Sequence, residues 1–300
     1  MQLLSPPFPV LAEPAAGRFF FSGDGLVHIR NLHTNKEARV RLLTPEGSLD
    51  EEGFTRIDEV FGLPTAEKGE HISPRLIFML DHFSDLVAPG KPIDMISGYR
   101  SPEYNSALRD KGGNVAKTSI HQDGMALDFS IEGVKGKELW QLIKSRNCAG
   151  VGHYGGSSIH LDSAKPRYWE AATSKVRTGE SDHNRRIYLS TDYDRYRAGD
   201  MVRLSFSSVS DFGFGIGSAA TIVSDPKGEN AVATAPIKSQ DDSGCVMIRD
   251  RRASRFIYFA LPPNLREGRY RIRVDFCTRP SDQMPRRTVS NEIELVGRLN

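Results

Sequence analysis

A polar run, ATSKVRTGESDHNRR at residues 172–186, separates two halves of this chain whose hydrophobic patterns do not fit one architecture. Upstream, apolar residues recur at both helical and strand spacing. Downstream no helical pattern of any length occurs. Val202, Leu204 and Phe206 alternate with polar residues, as do Phe256 and Tyr258, then Tyr270, Ile272, Val274 and Phe276, then Ile293 and Leu295. Turn signals such as Asp225-Pro226-Lys227-Gly228 and Glu267-Gly268 separate these stretches. Short alternating strands punctuated by turns predict an all-β, immunoglobulin-like sandwich over residues 187–300. A length of 300 residues suits two domains. Residues 18–171 form the first, 172–186 the linker, and 1–17 a leader or disordered tail.

The first domain reads as α+β, a small antiparallel sheet with flanking helices. Leu26–Arg30 and Ala38–Leu42 flank Asn35-Lys36 as a hairpin. Helical spacing covers 54–61 and 74–87, and Ser101-Pro102 opens a helix to about Lys111 with serine as cap and proline in the first turn. Residues 93–96 are a short strand, and 135–146 are helical. Met125, Leu127 and Phe129 alternate with Ala126, Asp128 and Ser130, the pattern of a half-buried strand. Two further strands, 149–154 and 158–162, flank Gly155-Gly156.

Charge and cysteine content narrow the function classes. A net charge of +2, from 40 basic and 38 acidic residues, is too balanced for a nucleic-acid binder acting by phosphate neutralisation. No apolar run reaches the length of a membrane span. Val10-Leu11-Ala12 resembles the end of a secretory signal, without a basic region before it, and reads equally as a Pro-rich tail. The three cysteines lack metal-type spacing; Cys245 and Cys277, both in the C-terminal part, are the candidate pair.

The chemistry-bearing stretch is SIHQDGMALDFS at 119–130. In a strand, Asp128 shares a face with the small Ala126 and Ser130, which leaves room in front of its carboxylate. Gly124 permits a sharp turn that folds His121 back beside it. Zinc takes imidazole nitrogen and carboxylate oxygen, and a catalytic site uses three protein ligands plus an open position. His160, polar between Ile159 and Leu161, is the best third candidate, with His33 and His153 as alternatives. A plainer account, His121 capping a loop while Asp128 and His160 bond across strands, fits the same spacing.

The blocks ISGYRS (96–101), VAKTSIHQDGMALD (115–128), IEGV (131–134), GVGHY (150–154), IHLD (159–162) and RYW (167–169), with NLHT (31–34) before them, occur in an order that resembles the zinc D-alanyl-D-alanine carboxypeptidase and dipeptidase superfamily. Within it they look like the YcbK-like murein endopeptidase branch. The resemblance covers roughly residues 24–170 and leaves out the C-terminal domain. It implies one zinc ion held by His121, Asp128 and His160, with Arg100 as the cation near the substrate carbonyl or developing oxyanion. It also implies that Ser119 supports the site by a hydrogen bond and that Tyr99 walls the cleft. The substrate it implies is bacterial cell-wall peptidoglycan, and the compartment periplasmic or extracellular.

One departure from the superfamily matters. Its members place a general base, glutamate or histidine, three or two residues before the last histidine ligand; here those positions are Ser157 and Ser158. Asp162, on the same side of the strand as His160, and His153 are the candidate substitutes. Asp162 is also placed to orient its liganding neighbour. Two functions follow: a zinc metallopeptidase, either murein endopeptidase or D,D-/L,D-carboxypeptidase, or an inactive zinc-retaining protein that binds peptidoglycan peptides. The C-terminal sandwich would then serve a cell-wall or protein partner, its Arg269, Arg271 and Arg273 reading as a solvated strand face.

Overall fold

The computed structural model describes residues 15–113, 115–174, 183–210, 213–238 and 244–297. Residues 1–14 of the expected leader and 175–182 of the expected linker lie outside the described residues.

Local chemistry starts the N-terminal elements. Strands β1 (Leu26–Asn31) and β2 (Glu37–Arg41) form the expected antiparallel hairpin. Helix α1 (Glu51–Phe61) begins where the Asp50 carboxylate accepts from the Glu52 and Gly53 amides, and it ends at Gly62 in the left-handed region. A short helix, α2 (Thr65–Lys68), follows. Helix α3 (Pro74–Val87) has Ser73 capping the Leu76 amide and Pro74 at its first turn; Leu76, Ile77, Leu80 and Phe83 are buried in the core. After β3 (Ile93–Ser97), Ser101 caps α4 (Pro102–Asp110). Then come β4 (Ala126–Ile131), α5 (Gly136–Arg146), β5 (Gly150–Gly155), β6 (Ser158–Asp162) and β7 (Arg167–Glu170).

These strands form one seven-stranded sheet in the order β2-β1-β3-β4-β6-β5-β7. The expectation of a small antiparallel sheet needs correction: the sheet is mixed, with β1–β3 and β5–β7 parallel. The first parallel pair follows from α1 to α3 lying between its strands, which returns the chain in the starting direction. The second arises because β7 crosses over β6 to reach the free edge of β5. Leu127, Phe129, Val151, Ile159 and Leu161 bury one face of the sheet in a core shared with α1, α3 and α5.

The C-terminal half is sheet-rich, as its alternation predicts. Its strands are β8 (Tyr188–Thr191), β9 (Arg195–Tyr196), β10 (Met201–Ser207), β11 (Phe214–Gly217), β12 (Ala219–Val223), β13 (Ala231–Pro236), β14 (Cys245–Ile248), β15 (Ile257–Ala260), β16 (Gly268–Thr278), β17 (Arg287–Val289) and β18 (Ile293–Leu295). One sheet runs β15-β10-β8; the other contains β13-β12-β16-β11-β14, with β17 and β18 also pairing with β16. Leu204, Phe206 and Phe259 from the first meet Ile222, Ile272 and Val274 from the second in one core. Cys245 and Cys277 form a disulfide that joins β14 to β16 across β11. Arg269 and Arg271 pair with Glu292, and Arg273 with Asp275, which accounts for that basic strand face within the domain.

The loop before α3 carries a pH-sensitive contact. His71 Nδ1 lies 2.5 Å from Asp58 Oδ2 and Nε2 lies 2.9 Å from Glu51 Oε2, while Asp58 Oδ1 accepts from the Ile72 amide. The hydrogen bond to Asp58, opposed by burial and helped by Glu51, raises the His71 imidazole to about 9 from an ordinary 6.5. A folded value above the unfolded one stabilises fully below about pH 6.5 and is lost as pH rises through about 9. Thermal denaturation followed across this window is expected to show a declining melting temperature in the wild type. In His71→Gln that slope is expected to disappear.

Candidate metal centre

Cross-strand register assembles most of the centre. Ser97 on β3 pairs with Asp128 on β4, Asp128 with His160 on β6, His160 with Gly152 on β5, and Gly152 with Trp169 on β7. These five residues form one row across the sheet, and side chains in such a row stand on the same face. The neighbouring row contains Ala126, Asp162, Gly150 and Arg167. Gly150 and Gly152 of β5 leave space that the side chains of these rows use. A Cβ at Gly152 would overlap the Trp169 indole, and one at Gly150 would overlap the Asp162 carboxylate and the Arg167 guanidinium.

His121 comes to this row from above the sheet. It sits in a 3-10 turn, Ile120–Asp123, that ends at Gly124 in the left-handed region. Its backbone carbonyl accepts from the Arg100 amide at 3.2 Å, and the Ser73 amide donates to the Gly124 carbonyl at 2.9 Å. The ring is buried against His160, with centroids 5.1 Å apart.

Three donor atoms converge. His121 Nε2 is 3.3 Å from His160 Nδ1 and 3.4 Å from Asp128 Oδ1, and His160 Nδ1 is 2.9 Å from Asp128 Oδ1. Each side chain's other polar atom is already engaged. His121 Nδ1 donates to the Gly98 carbonyl at 2.7 Å, and His160 Nε2 donates to Asp162 Oδ2 at 2.9 Å. Asp128 Oδ2 accepts from an Arg100 Nη at 2.6 Å, while Arg100 Nε donates to Ser97 Oγ at 2.8 Å. The outer bonds fix each ring's tautomer and turn one lone pair of every group inward.

That arrangement fits a small divalent ion. Ligands about 2.0–2.2 Å from a tetrahedral zinc lie about 3.3–3.6 Å from one another. The three observed separations, 2.9, 3.3 and 3.4 Å, are close to that triangle. Burial lowers the His121 imidazole below its ordinary value, which favours the neutral, ligating form. For Asp128, burial opposes ionisation, but His121 and His160 outweigh it and hold the carboxyl well below its ordinary range. Burial likewise opposes charge on His160, yet its bonds to Asp128 and Asp162 raise it. Asp128 thus stands ionised between the two imidazoles.

The two candidate bases fall elsewhere. Asp162 is fully buried behind His160, bonded to its outer nitrogen and paired with Arg167 at 2.8 Å. Burial would raise its carboxyl, but Arg167 and His160 bring it down to about 2. Both of its oxygens are thus engaged on the side of His160 remote from the three donors. His153 pairs with Ile159, not with His160, and so belongs to the opposite, core face of the sheet. Its contact is Glu170 at 3.7 Å, and its buried Nε2 has no hydrogen-bond partner among the described residues.

Arg100 meets the centre through Asp128. Tyr99 packs against the main core with Lys68 Nζ 5.0 Å from its ring centroid. Ser119 precedes the His121 turn and is buried, but its hydroxyl makes no capping bond. His33 is exposed in the β1–β2 turn, its amide bonded to Asn31.

Two aromatic residues emerge that residue type alone does not single out. Trp169 lies 4.9 Å from His160 between ring centroids, and Tyr154 lies 6.4 Å from it. Burial and the Asp128 carboxylate raise the Tyr154 phenol, so its hydroxyl remains a proton donor. Period-two counting along GVGHY would have found it, because Gly150, Gly152 and Tyr154 alternate with Val151 and His153.

The family described as peptidoglycan L,D-endopeptidase MepK matches residues 23–169, the stretch that contains every residue of this centre. The peptidoglycan L,D-endopeptidase MepK of Escherichia coli strain K12 is 32% identical over 161 residues, which span 53% of this chain and 88% of that protein. The Shigella flexneri protein of the same name matches equally, at 32% over 161 residues. A probable peptidoglycan L,D-endopeptidase MepK of Haemophilus influenzae is 39% identical over 79 residues, 26% of this chain and 42% of that protein.

Replacing Asp162 by asparagine keeps its volume and removes the charge that fixes His160. Loss of such an outer partner is expected to weaken metal binding about 10–100-fold. Competition against a chromophoric chelator measures this directly; unchanged affinity would remove Asp162 from the site.

Proposed function

Because the chain belongs to the peptidoglycan L,D-endopeptidase MepK family, we propose that it is a zinc-dependent hydrolase of peptidoglycan peptides, with L,D-endopeptidase cleavage as the finer reading. The observation that carries this is the inward turn of three donor atoms whose partners are each held by an outer hydrogen bond. In this reading His121, Asp128 and His160 hold the ion, which when bound would polarise a scissile carbonyl and lower the pKa of a water.

The chain's own groups supply the rest. Asp162 and Gly98 orient the two imidazoles. Arg100, anchored on Ser97 and Asp128, keeps a permanent positive charge beside the position where an oxyanion develops. Tyr154 offers a protonated hydroxyl to the same region, and the Trp169 indole walls the centre on the β7 side. Substrate binding against these rings would displace water and strengthen each of those contacts.

A specific observation favours a second reading. Serines occupy both positions where relatives of the superfamily have a base, and the two nearest substitutes face away from the donors. A metal-retaining protein that binds peptidoglycan without cutting it would look like this. Its intact outer shell and orienting arginine are more than binding requires, so hydrolysis is the preferred reading.

We read the C-terminal half as a sandwich of immunoglobulin type. Support comes from its strand order, with the first, third and eighth of its strands (β8, β10, β15) in one sheet and β13-β12-β16 with β17 and β18 in the other. The disulfide supports a periplasmic or exported location. No helix among the described residues is long and apolar enough to cross a membrane.

Digestion of purified sacculi, followed by mass spectrometry, tests the hydrolase reading. Wild type is expected to release cleaved muropeptides, and His121→Ala to lose both metal and cleavage. Intact sacculi with fully metal-loaded wild type would establish the binder instead.

A further inference from the structure

The loop that carries His121 is gripped by the C-terminal half. Asp123, two residues after the ligand, is buried, and both of its oxygens are taken by that half: Arg251 Nη1 donates to Oδ1 at 2.8 Å and the Ser208 amide to Oδ2 at 2.9 Å. Arg251 also donates to the Val209 carbonyl at 2.5 Å, which ties the guanidinium to the same turn. On the other side of His121, Ser208 Oγ donates to the Thr118 carbonyl at 2.8 Å and lies 2.9 Å from Thr118 Oγ1. One turn thus holds residues three before and two after the ligand.

Two further features, the Ser208 backbone and the packing of Tyr188, mark this contact as built. Ser208 has φ of 60°, a left-handed conformation that a serine disfavours, and it is this backbone geometry that accompanies delivery of its amide to Asp123. Ile120, adjacent to His121, is buried in a small apolar cluster with Met125, Ala126 and Ala164, against which Tyr188 of β8 packs. Tyr188 also lies 5.2 Å from the Arg167 guanidinium, which holds Asp162 behind the second histidine.

We propose that the C-terminal domain is an intramolecular clamp for the metal centre, with Asp123, Ser208 and Arg251 as positioning residues for His121. The proposal rests on the zinc reading above for its consequence, but not for its geometry. His160 is fixed by the ladder of β4, β6 and β5, whereas His121 stands on a 3-10 turn with little regular pairing of its own. A centre with one ligand on a sheet and one on a turn depends on whatever holds the turn. Here the holder is a domain outside the stretch matched by the family.

Full-length Arg251→Met, which keeps the aliphatic stem, and Asp123→Asn test this. In metal-free protein, amide hydrogen exchange over 117–125 is expected to quicken by about tenfold or more as local opening becomes easier. Zinc affinity is expected to fall about 10–100-fold, as for loss of other outer supports. A purely structural contact would lower the melting temperature but leave both readouts within about twofold of wild type, and that result overturns the clamp. Should Arg251→Met fail to fold because Asp123 is left charged and buried, the double variant, which removes both charges, decides by the same readouts. If wild type binds no zinc, the proposed function fails on its own, and the exchange comparison still decides the clamp.

Discussion

The pairing of Asp128 with His160 across β4 and β6 is the constraint on which the rest of the molecule depends. A sheet side chain can reach only the face its register assigns, and a slip by one residue would send every polar group in this row into the core. Leu127, Phe129, Ile159 and Leu161 prevent such a slip, because they bury the other face completely. The apolar residues of β4 and β6 therefore do two things at once. They close the core under α3 and α5, and they hold a carboxylate and an imidazole side by side in the row above it.

Burying that many polar groups would be unfavourable without mutual neutralisation. The structure answers with a chain of polar contacts: Arg100 donates to Asp128, whose Oδ1 lies 2.9 Å from the inward-facing Nδ1 of His160, while His160 Nε2 and Arg167 both donate to Asp162. Two guanidiniums balance two carboxylates, and the imidazole between them is drawn toward a positive charge from both sides. A dication at this point would meet a nearly neutral cage, and so would keep its electrostatic pull on a bound carbonyl. Against burial, the same chain holds the Asp162 carboxyl low, at about 2, because Arg167 and His160 both stabilise its charge.

Much of this was legible in the sequence wherever local signals agree. Helix α3 spans the residues its pattern predicts because serine cap, proline at the first turn and apolar face all coincide. Strand β6 follows from alternation, whereas alternation and residue type alone leave the grouping of His121, Asp128 and His160 open, and it is the resemblance that brings the three together. What could not be read is what depends on which strand lies next to which. His153 draws attention as a histidine, yet its partner Ile159 assigns it to the core face. Trp169 reaches His160 only because β7 runs parallel to β5 across a glycine, a long-range pairing with no signature in the local pattern. The mixed character of the sheet is hidden for the same reason, since helices placed between strands decide direction while each strand's alternation looks alike.

The two histidines illustrate two ways of holding a donor side chain. His160 inherits its position from hydrogen-bonded strands on both sides, and such positions are the last to open in a folded protein. His121 sits on a turn, where backbone bonds are fewer and local opening is easier. The contacts around it come from several directions: Gly98 and Arg100 on one side, Lys68 bonded to the Gln122 carbonyl at 3.1 Å, and Ser208 and Arg251 from the C-terminal half. Met125, at the end of that turn, receives Arg255, which also forks onto Glu70 at 2.8 and 3.2 Å. Support gathers around the histidine whose own secondary structure contributes least. The contacts from Ser208 and Arg251 thus give the C-terminal half a physical reason to lie against the turn that carries His121.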